Sequence, residues 1–258
     1  MLNISLNSVL SKISTMKLIK LNAIDSTNDF LKDMSRNEVV ENFTTVVAES
    51  QTKGKGQMGS TWNSEQGKNI IMSSLVKDVL QDASDIFHLN VAVSLAVIEV
   101  LEALNIPKLS IKWPNDIMSD TKKLAGILIE NSFKSDNRIE SIVGIGLNVN
   151  QKDFIFLPKA TSLAIVMNKE YDLEDLLNKI VFQIRKKCAL IVSNQSDILW
   201  KEYHQKLFKI GIPVAFEGVN NIQFMGIIQK VTDEGKLQII VEDDSIKTFG
   251  IKEIGMLY

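Results

Sequence analysis

Residues 109–130 read LSIKWPNDIMSDTKKLAGILIE. Two apolar runs in this stretch, 109–113 and 124–130, have the length and composition of strands. Pro114 has no N–H to give a sheet and fixes a turn, so the first run stops pairing there. Asn115 and Asp116 are then presented at a strand end, where open sheets place their ligands. A carboxylate at that point can hold Mg2+ or orient an ammonium group; a plain Asn-Asp turn beside a buried Trp113 is the competing reading. Lys123 opens the second run as a fixed point charge, and Gly126 leaves room beside it for a ligand. Equally, Lys122 and Lys123 are a solvated pair at a loop end.

Working outward, residues 139–147 form a further strand. Its exit, Gly144-Ile145-Gly146-Leu147-Asn148-Val149-Asn150, carries two glycines, which weaken a strand unless a ligand or a helix packs close. Upstream, Ser84 is expected to cap a long helix to residue 104. Asn90, Ser94, Glu99 and Glu102 interrupt its apolar run, so it reads as a core helix rather than a bilayer span. Strands are expected at 17–22, 44–48 and 69–76. A helix starts at Ser26, with Asp29 three residues on as in a capping box. Asp172 caps a helix whose apolar positions, Leu173, Leu176, Leu177, Ile180, Ile184 and Cys188, repeat at helical spacing, and another helix covers 196–209. His88 and His204 take helical positions and read as structural. After Gly211 the texture changes to short strands at 213–217, 222–231, 237–242 and 246–250, a small all-β unit. The expected organisation is a tail over 1–16, an α+β domain over 17–210 and a small C-terminal β-barrel over 211–258.

Residues 54–59, Gly54-Lys55-Gly56-Gln57-Met58-Gly59, match G-x-G-x-x-G. A dinucleotide site needs a helix that begins inside the motif. Here 60–68 is polar and the next element is a strand, so no helix N-terminus is available. Glycine still lets backbone N–H groups form an anion nest, with Lys53 and Lys55 adding charge and Trp62 a flat face. A mobile surface loop with ordinary glycines is the alternative.

The bulk properties narrow the function classes. Of 258 residues, 45% are hydrophobic, and 29 basic against 31 acidic residues leave a net charge of −2. That gives no broad footprint for nucleic acid. The single cysteine, Cys188, rules out an intrachain disulfide or a thiolate zinc cluster, and residues 1–14 lack the pattern of a secretory signal. A cytoplasmic protein with no nucleic-acid or membrane partner is expected.

Taken in order, Ser26-Thr27-Asn28, the segment from Gln51 to Gly59 with Trp62, Lys112 to Asp116, Lys123-Leu124-Ala125-Gly126-Ile127-Leu128, Gly144 to Asn150, and Ala160-Thr161-Ser162-Leu163 resemble the biotin–protein ligase family over about residues 17–258. The resemblance implies a mixed sheet flanked by helices, of class II synthetase type, with the small barrel appended. It implies a biotin site built from Ser26, Thr27, Asn28, Gln51, Gly54, Lys55, Gly56, Gln57, Lys123 and Gly126. It implies ATP contacts from Lys55, Gln57, Trp62, Lys112, Asn115, Lys123 and Asn148, with Lys123 and Asp116 catalytic and Asp116 a ligand for Mg2+. The implied partner is the biotin carboxyl carrier domain of acetyl-CoA carboxylase or a related carboxylase. The oligomeric state stays open, a homodimer included. The family loop often reads Gly-Arg-Gly-Arg-x-Gly; here Lys55, Gln57 and Ser60 occupy its basic positions, and Lys55 lacks the bidentate fork of arginine. Too few residues precede the pattern for the helix-turn-helix domain of family repressors, so a ligase without that role is expected. A lipoate–protein ligase and a non-catalytic biotin or nucleotide module are the rival readings.

Overall fold

The computed structural model describes residues 17–135 and 138–258; the tail expected over 1–16 lies outside the described residues. The first layer is a seven-stranded sheet. In chain order its strands are β1 (Leu18–Ile24), β2 (Thr45–Gln51), β3 (Ile70–Lys77), β4 (Leu109–Lys112), β5 (Asp116–Ser119), β6 (Lys122–Phe133) and β7 (Ile139–Leu147). Across the sheet they run β1-β2-β3-β7-β6-β5-β4, with β1 and β2 parallel and every other pair antiparallel. β3 reads IIMSSLVK and is buried at every position but its last, as a strand covered on both faces must be.

The helices are α1 (Thr27–Asn37), α2 (Ile86–Ala103), α3 (Leu163–Met167), α4 (Leu173–Val192) and α5 (Ser196–Gln205). α2 is apolar all round and lies between the sheet and the pair α4 and α5. Among the described residues it is the one helix long and apolar enough to cross a membrane, and here most of it is buried inside the fold. Leu89, Val91, Val93, Leu95, Val97, Ile98 and Leu101 on it are fully enclosed. At about 1.5–3 kcal/mol for each such side chain, α2 is the main anchor of the core.

Local chemistry corrects several expectations. Ser26 does cap α1, its Oγ accepting from the Asp29 N–H at 3.4 Å. The reciprocal half of the box is missing, because the Asp29 carboxylate takes the Lys55 ammonium at 2.6 Å, a stronger partner than a backbone N–H. Ser84 does not cap α2; it donates to the Asp82 carboxylate, which caps a single 3-10 turn, Ala83–Asp85, leading into the helix. α5 stops at Gln205 rather than 209. The Ile111 N–H donates to Lys206 O at 2.7 Å and the Phe208 N–H to Ile111 O at 2.8 Å, so this segment leaves the helix to cover the open edge of β4. β5, a strand that was not expected between 109–113 and 124–130, pairs with both β4 and β6.

The expected barrel is also corrected. Strands β8 (Pro213–Gly218), β9 (Gln223–Val231), β10 (Leu237–Val241), β11 (Ile246–Phe249) and β12 (Ile254–Leu257) form an antiparallel sheet in the order β11-β10-β9-β8-β12. β11 and β12 are opposite edges and do not close on each other. An apolar face needs burial, and this one finds it outside its own sheet. Phe216, Ile228, Leu237, Ile239 and Ile254 join the same core as α2 and α5. The Trp113 Nε1–H donates to Gly235 O at 2.9 Å, and the Val231 N–H donates to His204 Nε2 at 3.1 Å, so both layers are stitched together. His204 thus has the structural role its helical position suggested.

Gly235 holds the tightest point of that seam. Its φ is +82°, and a Cβ there would lie 2.2 Å from the Phe87 ring. Gly67 has a similar φ of +67° but open space around it. Gly235→Ala is expected to cost roughly 1–3 kcal/mol more than Gly67→Ala, the usual range for overpacking, measured by urea unfolding of the two variants. Equal losses would mean that the seam is not tightly packed.

Candidate active site

In a sheet, residues paired across strands point to the same face. The registers Lys112↔Asp116, Asp116↔Gly126, Gly126↔Gly146 and Gly146↔Ile71 therefore line up one row across β4, β5, β6, β7 and β3. All five residues line one cavity of about 310 Å3, at the small end of the usual range for ligand sites. The row has charge at one end, no side chains in the middle and an apolar end.

Lys123 reaches this face through an irregularity. It lies three residues before Gly126, and strict alternation would send it to the opposite side. β6 carries one extra residue against β5, the pairing changing from Ile117↔Ala125 to Met118↔Lys123. Leu124 and Ala125 consequently both join the hydrophobic core, and Lys123 returns to the cavity beside Gly126. Its Nζ lies 2.6 Å from Asp116 Oδ1, while Lys112 Nζ lies 3.7 Å from Asp116 Oδ2. Lys123 is 32% exposed and Asp116 16%. Two ammonium groups therefore share one carboxylate in a partly dry cleft. Burial pushes the Lys112 amine below the usual lysine range; Asp116 opposes that shift, and the like charges of Lys123 and Lys159 reinforce it.

The polar wall begins at the N-terminus of α1. Gln51 Oε1 accepts from the Thr27 N–H at 2.7 Å and from the Thr27 hydroxyl at 3.0 Å. Asn28 Nδ2 donates to Glu130 at 2.9 Å, and Asn28 Oδ1 lies 2.6 Å from the Ser73 hydroxyl. Gly144 lies beneath Asn28, where a Cβ would sit 2.3 Å from Oδ1. Ser73 and Glu130 escaped the sequence reading. The one available signal for Ser73 was the Ser73-Ser74 pair inside an otherwise apolar stretch of β3; nothing singled out Glu130.

The glycine-rich loop folds on itself. The Gly56 N–H donates to Ser60 O at 2.7 Å and the Trp62 N–H to Gly54 O at 2.9 Å, so these N–H groups do not form an open anion nest. Lys53 and Lys55 are tied to Asp25 and Asp29 at 2.8 and 2.6 Å. Lys55, Gly56, Gln57, Met58, Ser60 and Thr61 border the cavity, and Trp62 gives the loop its one large flat face there. Its indole lies on Gly146, where a Cβ would fall 2.2 Å from the ring, and the Lys123 ammonium is 5.5 Å from the ring centroid. Trp62 Nε1 is buried with no hydrogen-bond partner.

Of the expected site residues, Ser26, Thr27, Asn28, Gln51, Lys55, Gly56, Gln57, Trp62, Lys112, Asn115, Asp116, Lys123 and Gly126 line the cavity, and Gly54 and Asn148 do not. Gly54 packs against the Trp62 carbonyl and Gln51. Asn148 is buried and donates to Thr161 O at 3.0 Å. The Asn115 amide donates to Ile127 O at 2.8 Å, which pins the 113–115 turn onto β6. The second sheet supplies a wall that no motif announced, with Phe216, Leu237, Ile251, Ile254 and Met256.

The sequence profile of the Biotin/lipoate A/B protein ligase family matches residues 21–150. The chain is 30% identical over 252 residues to the bifunctional ligase/repressor BirA of Bacillus spizizenii, covering 95% of this chain and 74% of that protein. It is 29% identical over 195 residues to the biotin–[acetyl-CoA-carboxylase] ligase of Mycobacterium tuberculosis, covering 74% of this chain and 71% of that one. The structure of a biotin protein ligase from Aquifex aeolicus in complex with biotin and ATP superposes with a TM-score of 0.77 at 28% identity, over 94% of this chain and 99% of that chain. With the motifs gathered around one cavity and the likeness running through both sheets, this chain belongs to the biotin–protein ligases of the Biotin/lipoate A/B protein ligase family.

Proposed function

We propose that the cavity is where this biotin–protein ligase joins biotin to ATP and then to a lysine of a biotin carboxyl carrier-type domain. The observation that carries this reading is the Lys123–Asp116 pair, 2.6 Å apart beside Gly126 and Trp62. The activity is ATP-dependent adenylation of biotin followed by transfer to a carrier lysine. A carboxylate oxygen attacks the α-phosphorus, the bond from that phosphorus to the bridging oxygen breaks, and pyrophosphate leaves with the electron pair. Two anions must approach, and Lys123 lies where it can screen both and stabilise the charge that develops between them. The polar groups of Ser26, Thr27, Asn28 and Gln51 suit the ureido end of biotin, and the apolar surfaces of Trp62, Ile71 and Met72 suit its rings and chain. Lys112, Lys123 and Asn115 face the nucleotide side.

In the second step a free amine attacks the acyl carbon and AMP leaves. Asp116 is placed to orient the incoming ammonium group or accept its proton. The loop around Trp62 and the second sheet wall the cavity on both sides, which keeps water from the reactive anhydride.

Mg2+ fits as part of the nucleotide. Among the described residues there is no cluster of three His, Cys, Asp or Glu side chains able to hold a metal ion. Asp116 is a single carboxylate already facing two lysines, the donor set for an ion carried on phosphates rather than one caged by protein. Such an ion would neutralise phosphate charge.

Pure protein mixed with biotin, ATP, Mg2+ and a carrier domain is expected to place one biotinyl group on a carrier lysine, read by intact-mass spectrometry. Lipoyl transfer in a parallel reaction, with none from biotin, would reverse the assignment. Lys123→Ala is expected to slow biotin-dependent pyrophosphate exchange by about 10²–10³, the typical loss for one charge-stabilising donor. Lys112→Met should trade activity for stability. Its amine is disfavoured as a cation in the fold, a cost present at neutral pH and relieved only as pH rises toward the usual lysine range. The variant is therefore expected to melt higher than the parent at pH 7 while turning over more slowly, checked by calorimetry and exchange rate together.

A further inference from the structure

We propose that Lys112 and Lys159, held on the ring of Tyr258, form the subsite for the pyrophosphate end of the nucleotide. This rests on the ligase reading above and adds Lys159 and Tyr258, which no motif contains. The Lys159 ammonium lies 4.4 Å from the Tyr258 ring centroid and the Lys112 ammonium 5.3 Å from it. Phe208 meets the same ring edge-on at 5.3 Å and so fixes its plane. The segment carrying Lys159 is pinned to the start of β6, since the Lys123 N–H donates to Lys159 O at 2.8 Å and the Thr161 N–H to Lys123 O at 3.0 Å.

The charge balance gives this cluster its meaning. Lys112 and Lys123 share a single carboxylate, Asp116, and Lys159 adds a third positive charge close enough to repel Lys112, which leaves two positive charges uncompensated. Lys53 and Lys55 of the glycine-rich loop are each neutralised by an aspartate. An aromatic face holds an ammonium without cancelling its charge, whereas a carboxylate cancels it. Like charges gathered at this spacing repel, and a polyanion is the ligand that turns the repulsion into attraction. The leaving pyrophosphate is the most highly charged product of the reaction. When the bond between the α-phosphorus and the bridging oxygen breaks, the electron pair departs on the pyrophosphate, and the surplus positive charge there stabilises it.

The test is biotin-dependent pyrophosphate exchange with inorganic pyrophosphate as the varied reactant. Lys159→Met and Tyr258→Leu are each expected to raise the KM for pyrophosphate by roughly five- to tenfold, the size of one lost charge-assisted contact at a partly exposed site. Biotin affinity, measured by calorimetry with biotin alone, is expected to stay unchanged, and Lys159→Arg to keep a near-native KM. An unchanged KM for pyrophosphate in both variants would overturn the subsite. So would a rise matched by an equal loss of biotin affinity, since that is the signature of a general structural role. If the parent protein exchanges nothing with biotin, the ligase reading fails instead. Calorimetric titration of pyrophosphate into parent and Lys159→Met protein then decides the subsite by itself: tighter binding by the parent supports it, and equal or absent binding refutes it.

Discussion

One extra residue in β6 determines which face of the sheet Lys123 joins. Without it, Lys123 and Gly126 would face opposite ways, the ammonium toward α2 and the core. With it, the ammonium returns to the face on which Asp116 and the glycines already stand. Burying an unpaired ammonium in the core would cost several kcal/mol, so the irregularity serves the fold as well as the site. The motif Lys123-Leu124-Ala125-Gly126 can be seen as a bulge written into sequence: charge for the cleft, two apolar residues for the core, then space.

The second sheet is as much a part of the cleft as the first. An isolated five-stranded open sheet would leave one apolar face exposed to water, and here that face closes over the cavity and onto α2. Burial that stabilises the small sheet therefore also forms one wall of the cavity. Stability and function are coupled at this seam, since whatever loosens the contact around Gly235 and Trp113 also moves a wall of the cavity.

Much of this was legible in the chain. α4 announced itself through periodicity and α2 through a long apolar run, while the segments around 112–116 and 123–128, ambiguous singly, pointed to a family through their order along the chain. What stayed hidden depended on contacts between distant segments. β5 is four residues long and gives no alternation to read. The open form of the second sheet depends on a partner surface that local patterns do not encode. The glycine-rich loop looked like an anion nest because composition cannot say whether an N–H is already spent; Gly56 donates to Ser60 within the loop. Ser73, Glu130 and Tyr258 entered only through packing, each beside a residue that a motif had already marked.

The three tryptophans occupy three different settings. Trp113 donates its indole proton to a backbone carbonyl, and Trp200 is enclosed among Phe87, His88, Tyr203 and His204. Trp62 sits on the glycine-rich loop, its nitrogen without a partner as is that of Trp200, and of the three it alone has an ammonium against its ring. Excited indole is sensitive to nearby charge and to any new acceptor, so the protein carries its own optical reporter in the wall of the cavity. Emission from that ring would register the arrival of a ligand without a dye or a label, with Trp113 bordering the same cavity and Trp200 locked elsewhere in the molecule.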